Sequence, residues 1–175
     1  MATKKVAPTL PEGFEAKHGI AWGSRREGLL EISYWNMKRK NSVTGDGQRQ
    51  MGRLIEAAQN NEDIKVIFIH GGLFYCSGND LAVLSSMSDM DDAEKRDASG
   101  YGVEYLMTTN LLSILRSKKP IVGLVRGQSI GIGFTTCALF DFLYITPEAK
   151  FSTPFMRSCQ SPEGASTYTF AQHFG

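Results

Sequence analysis

An excess of charge of one sign is missing from this sequence. Its 19 Lys and Arg against 18 Asp and Glu leave a formal net charge of +1, so the overall balance attracts neither nucleic acid nor an anionic membrane, and partners have to be argued locally. No apolar run approaches the ~18 residues of a membrane-spanning helix, and no signal-peptide core opens the chain. Cysteine is sparse: Cys76, Cys137 and Cys159 show neither CxxC nor zinc spacing, so reduced thiols in an intracellular setting are expected. His18, His70 and His173 stand beside no serine or cysteine motif, which leaves no nucleophilic triad. The acidic cluster Asp89, Asp91, Asp92, Glu94 and Asp97 lacks the glycine and spacing of an EF-hand. It reads as a solvated helix start, and no metal is expected. Internal repeats and low-complexity tracts are absent too.

What is present centres on Pro120 to Asp141, PIVGLVRGQSIGIGFTTCALFD. Ile121, Val122, Leu124 and Val125 suit a short buried strand that ends at Gly127. Gly127, Gly131 and Gly133 then allow a sharp turn, and from about Ile132 the pattern turns helical, so free peptide N–H groups would point out of the new helix. Such a terminus fits a phosphate, a developing oxyanion, or close packing with no ligand. The spacing GxxxGxG with no GK[ST] is neither a dinucleotide fingerprint nor a Walker loop.

A chain of 175 residues predicts one domain, with residues 1–17 a flexible N-terminal arm and 18–175 the core. Ile20 to Trp22 and Leu29 to Trp35 read as a hairpin. Asp46 to Asn60 spaces Met51, Leu54, Ile55 and Ala58 as an amphipathic helix. Ile64 to Ile69, IKVIFI, is a continuous apolar run expected to be a central strand covered on both faces. A helical stretch, about Glu94 to Arg116, leads back into PIVGLVRG. Tyr101 to Met107 within it could floor an apolar pocket or simply pack. Phe140 to Ile145 and Lys150 to Thr153 are further strands. The alternation of strand, helix and strand predicts an α/β fold with a mostly parallel sheet. IKVIFI runs into His70-Gly71-Gly72 and then Cys76-Ser77-Gly78-Asn79-Asp80, so two strand-to-glycine turns could each present a backbone N–H to one atom.

Three segments, FYCSGNDL, KPIVGLVRGQSIGIGFTTCALFDFLY and AKFSTPFMRSCQSPEGASTYTF, resemble in order and spacing the crotonase (enoyl-CoA hydratase/isomerase) superfamily. Within it they look most like the delta-3,delta-2-enoyl-CoA isomerases. The resemblance runs from about Gly19 to Gly175. It implies a crotonase-like ββα spiral core with mostly parallel sheets, lacking the usual C-terminal helical region. It also implies an oxyanion hole made by the N–H groups of Asn79, after Gly78, and Ile132, after Gly131. The SPEG motif puts the isomerase base at Glu163, with Phe155, Met156 and Phe134 as an apolar surround that raises its pKa. Hydratases of the superfamily carry two glutamates at positions that match Thr135 and Phe155 here, so the resemblance implies isomerisation through a single base.

The substrate so implied is a fatty acyl-CoA, with coenzyme A as part of the substrate and no separate cofactor. Substrate contacts are expected from Ser77, Gly78, Gly131 and Phe155. Lys38, Arg39 and Lys40, on residues alone a solvated loop, match a loop that in crotonases lies near the adenosine phosphate. A homo-trimer or a larger hetero-assembly is expected to cover apolar faces near Phe134, Leu139, Phe155 and Tyr168 to Phe174, and the implied location is mitochondrial or peroxisomal. The alternative reading is a non-catalytic crotonase-like subunit of a larger assembly.

Overall fold

The structure, a computed structural model, describes residues 9–80 and 110–175. Glu15–Lys17 (β1) pairs antiparallel with Ile20–Gly23 (β2), and β2 with Leu29–Tyr34 (β3). After Gly45–Gln59 (α1) the pairing changes hand: Val66–His70 (β4) lies parallel to β3, and Ile121–Val125 (β5) parallel to β4. Gln128–Ile130 (β6) leaves this sheet, and Phe142–Ile145 (β7) returns to it beside β5. The sheet order is therefore β1-β2-β3-β4-β5-β7, while β6 pairs parallel with Lys150–Ser152 (β8) in a second, two-stranded sheet.

Helix α1 starts where Thr44 accepts a hydrogen bond from the Gly47 N–H at 3.2 Å, with Asp46 in the first turn paired to Arg49. Met51, Ile55 and Ala58 line its inner face and join Ile20, Ile32, Ile67, Ile69, Ile121 and Val125 in one core cluster. Burying each such side chain is worth about 1.5–3 kcal/mol before the entropy of ordering is counted, so the stripe on α1 is what closes this face of the sheet. Residues 110–115 are helical and lie against Gly52, where an added Cβ would stand 3.3 Å from the Asn110 Cα. The acidic cluster at 89–97, the Tyr101 to Met107 stretch and most of the helix expected over 94–116 lie outside the described residues.

Several elements differ from the sequence expectation, each for a local reason. Glu15–Lys17, expected within a flexible arm, forms an exposed edge strand on β2. β4 starts at Val66 rather than Ile64, because the Ile64 N–H closes a turn to the Asn61 carbonyl and those of Lys65 and Val66 both reach the Gly28 carbonyl. One face of β4 is wholly buried at Ile67 and Ile69, whereas Val66, Phe68 and His70 on the other are half-buried. The helix expected from Ile132 toward Asp141 is one α-turn, Ile132–Thr135 (α2), followed by a 3-10 turn over Thr136–Leu139. There the Thr136 hydroxyl donates to the Ile132 carbonyl at 2.7 Å and the Cys137 thiol to that of Gly133 at 3.0 Å, side-chain bonds that compete with regular helix.

The basic loop is pinned by a residue the pattern did not single out. Asn41 is fully buried with φ 56, a conformation that asparagine tolerates better than most side chains. Its Nδ2 donates to the carbonyls of Gly71 at 2.9 Å and Phe74 at 2.6 Å, while its Oδ1 accepts from the Asn36 N–H at 2.8 Å. It ties the loop after β3 to the turn after β4. Replacing Asn41 by Ala strands these buried groups, and a loss of about 3 kcal/mol in unfolding free energy is expected from urea melts; a change within ~0.5 kcal/mol would remove Asn41 from this role.

Candidate active site

The two glycine turns come together through backbone pairing. The Cys76 N–H donates to the Gln128 carbonyl at 3.1 Å and the Ile130 N–H to the Cys76 carbonyl at 2.9 Å, so the two chain segments run parallel as they leave the sheet. Gly78 faces this seam so closely that an added Cβ would lie 3.0 Å from the Ile130 carbonyl oxygen. Gly131 follows with φ 54 and ψ −125, a combination largely restricted to glycine. Its N–H is held by the Ser152 carbonyl at 2.9 Å, and its own carbonyl accepts from Phe134 and Thr135, starting α2. The Val43 N–H bonds the Gly78 carbonyl at 2.9 Å and the Asp80 N–H the Val43 carbonyl at 3.0 Å, bracketing Asn79.

Glu163 reaches into this junction. Its Oε2 accepts a hydrogen bond from the Asn79 side-chain Nδ2 at 3.2 Å, and its Oε1 lies 3.6 Å from where a Cβ on Gly131 would be. Burial pushes the carboxyl above the ordinary glutamate range, opposed by hydrogen bonds from the Asn79 side chain and the Ile132 N–H. The structure thus unites Glu163 with two residues assigned to the site, Asn79 and Ile132, though at Asn79 the side chain is engaged as well as the expected backbone. Gly78 and Gly131 flank them. Burial also pushes the nearby Cys76 thiol up to about 12, as it does that of Cys137, and keeps both protonated at neutral pH.

The loop carrying Glu163 is set by packing on either side. The Glu163 carbonyl accepts from the Ser166 hydroxyl at 2.7 Å and N–H at 3.1 Å, where Ser166–Phe174 (α3) begins. That helix is docked by aromatic contact: the Phe134 ring lies 4.7 Å from those of both Phe151 and Phe170. Phe134 therefore anchors α3, while Met156, expected in the apolar surround of Glu163, is 91% exposed. Phe155 is half-buried at the start of a 3-10 turn, Met156–Ser158. Thr135 is fully buried under the Glu163 loop, against Gly164.

The basic loop lies beside the first turn. The Ser77 N–H bonds the Lys40 carbonyl at 3.1 Å and the Ser77 hydroxyl the Arg39 carbonyl at 3.3 Å. Arg39 itself is paired with Asp80, Nη1 to Oδ2 at 2.5 Å. Lys38, Arg39 and Lys40 are all exposed, so three positive charges face solvent here, one of them engaged by the protein's own carboxylate.

Gly164 has φ 65, and an added Cβ would sit 2.1 Å from Thr135 Oγ1 and 2.6 Å from its Cβ. Gly72 has a similar φ of 68 with nothing within 4 Å. Substituting Ala at Gly72 is expected to cost only the left-handed strain, about 1–2 kcal/mol. Gly164→Ala should cost about 1–3 kcal/mol more, because the overpacking lands on a buried neighbour. Paired thermal melts measure the difference, and equal losses would mean that Thr135 does not set the height of this loop.

Residues 24–175 match the Enoyl-CoA hydratase/isomerase family. The chain is 31% identical over 144 residues to Enoyl-CoA delta isomerase 2 of Homo sapiens, covering 82% of this chain and 36% of that protein. It is 29% identical over 149 residues to the peroxisomal Enoyl-CoA delta isomerase 3 of Mus musculus, covering 85% of this chain and 45% of that one. The chain thus spans less than half the length of these curated relatives. Pseudomonas aeruginosa OdaA superposes with a TM-score of 0.77 at 24% identity, over 91% of this chain and 60% of that structure. The parallel sheet and the paired glycine turns form a crotonase-like core, and the chain belongs to the enoyl-CoA hydratase/isomerase family.

Proposed function

We propose that this chain shifts the double bond of a 3-enoyl-CoA to the 2 position, with Glu163 as the single base. The observation that carries the reading is the position of the Glu163 carboxylate, half-buried between the Asn79 amide and the Ile132 N–H. By the resemblance, Thr135 and Phe155 match the positions at which hydratases carry their two glutamates, which supports a single base. The C2–H bond breaks as its proton moves to Glu163, and the electron pair is delocalised onto the thioester oxygen as a dienolate. The N–H groups of Asn79 and Ile132 hold that oxygen as its charge grows. Glu163 then delivers the proton to C4, the thioester carbonyl re-forms, and the double bond is left between C2 and C3. When the thioester oxygen takes over the Ile132 N–H, Glu163 loses one of the two hydrogen bonds that hold its pKa down, so binding strengthens the base at the moment it is needed. Exposed Lys38 and Lys40 suit the phosphates of coenzyme A, and the likeness to enoyl-CoA delta isomerases supports a mitochondrial or peroxisomal location.

Formation of the conjugated thioester, followed by absorbance, tests this directly. Glu163→Gln should lower kcat by about 10²- to 10⁴-fold while acyl-CoA still binds, and hydration of 2-enoyl-CoA should be slow or absent. Because the base must be ionised and its pKa is raised by burial, kcat/KM should fall with decreasing pH already above the ordinary glutamate range. An acid limb at or below that range, or efficient hydration, would overturn the single-base reading.

A second observation favours membership of an assembly, whether catalytic or not. β7 carries exposed Phe142, Tyr144 and Ile145, 58%, 64% and 53% accessible, and Tyr168 and Phe174 of α3 are exposed as well. Among the described residues no strand pairs with the outer edge of β7, and apolar edges of this kind are usually covered. Native mass spectrometry should find copies of the chain, as in a homo-trimer, or other subunits bound to it. A soluble 19.3 kDa species persisting alone at micromolar concentration would count against both forms of assembly.

A further inference from the structure

We infer that Gln48, on the first turns of α1, is a positioning residue for Glu163, acting through the side chain of Asn79. Gln48 Nε2 donates to Asn79 Oδ1 at 2.8 Å, and Asn79 Nδ2 donates to Glu163 Oε2 at 3.2 Å. The inference rests on Glu163 being the base and adds what determines where that base sits.

The direction of the chain of bonds follows from what each group can offer. An ionised carboxylate only accepts, so the Asn79 amide has to face it with nitrogen. Its other end is then an acceptor, and the Gln48 nitrogen is the donor that meets it. With Gln48 present, turning the Asn79 amide over would set nitrogen against nitrogen at one end and oxygen against a carboxylate oxygen at the other. The backbone around Asn79 is already bracketed by the two Val43 hydrogen bonds, which leaves the side-chain torsions as the freedom to be removed. Val43 and Gln48 lie on either side of Thr44, the residue that caps α1. One short segment therefore fixes both the main chain and the amide of Asn79.

Burial makes a purely structural role for Gln48 a poor fit. The residue is 4% exposed on the same helix face that buries Met51, Ile55 and Ala58. Its Oε1 has no hydrogen-bond partner among the described residues, and an unpartnered buried amide oxygen costs about 1–3 kcal/mol. An apolar side chain of the same length would pack there without that penalty. The bond from Nε2 to Asn79 is what the amide provides and an apolar residue could not. Among the described residues, the titratable group that interacts with Glu163 is Cys76, whose thiol, pushed up to about 12, is uncharged. Asp80, next to Asn79 in the chain, is engaged by Arg39. The charge state of Glu163 therefore reports on its hydrogen bonds.

The test uses the 175-residue chain with ¹³C-labelled glutamate, the Glu163 carboxyl signal being identified by its loss in Glu163→Gln. In Gln48→Met, which keeps length and removes the donor, the Glu163 titration midpoint should rise, because Asn79 no longer holds its nitrogen toward the carboxylate. Gln48→Leu, a second uncharged side chain without a donor, should raise it in the same direction and decides the matter if the Met variant does not fold. With 3-enoyl-CoA as substrate, kcat should fall about 10- to 100-fold in either variant, with KM little changed, as expected when a base is misplaced without loss of substrate contacts. A Glu163 midpoint unchanged from the native chain in a folded variant would overturn the role of Gln48. Failure of the native chain to isomerise 3-enoyl-CoA would instead overturn the proposed reaction and leave the titration to decide Gln48 alone.

Discussion

The parallel pairing of Cys76 with the Gln128–Ile130 strand is the constraint from which the site is built. Two segments that leave the sheet after β4 and β5 are locked by the Cys76–Gln128 and Ile130–Cys76 backbone bonds, and only then do Gly78 and Gly131 lie side by side. Their contact is so tight that a side chain on Gly78 would strike the Ile130 carbonyl. Cys76 is fully buried in the seam, Gly133 packs onto it, and the start of α2 turns its Ile132 N–H toward Glu163. If this pairing slipped, the donors would part and Glu163 would be left as a half-buried carboxylate with no reason for its position.

A second constraint is the cost of burying Glu163. Among the described residues, two hydrogen bonds meet it, from Ile132 and from Asn79, while the Arg39 guanidinium is paired with Asp80. A cation at the carboxylate would stabilise the ionised form far more strongly and weaken it as a base. Neutral donors hold the group in place while leaving its proton affinity high. The same economy shapes the surroundings, where Thr135 packs against Gly164 and Ser166 bonds the Glu163 carbonyl, so volume and hydrogen bonds to the backbone position the Glu163 loop.

Much of this was legible in the chain itself. The strand IKVIFI and the stretch from Ile121 to Val125 announce themselves as short apolar runs, and the stripe Met51, Ile55, Ala58 through helical periodicity, because burial imposes both patterns. The glycine turns show for a related reason, since Gly78 and Gly131 occupy conformations and spaces that admit little else. Asn41 and Gln48 carried weaker signals: one ends a basic loop that reads as solvated, and the other is a polar residue on the buried face of a helix. That misfit at Gln48 is visible in sequence, but its meaning is not, because the partner, Asn79, is distant along the chain.

Sequence by itself determined the main strands and α1, their order, and the glycines at both turns, because these depend on local conformation and on which face is apolar. Tertiary structure alone decided the rest. Only the fold brings the amide of Asn79 against Glu163, turns Arg39 to Asp80, exposes Met156 and seats α3 on Phe134. Each of those outcomes depends on contacts between residues far apart in the chain, where direction and distance are set by packing, and no periodicity along the sequence encodes them.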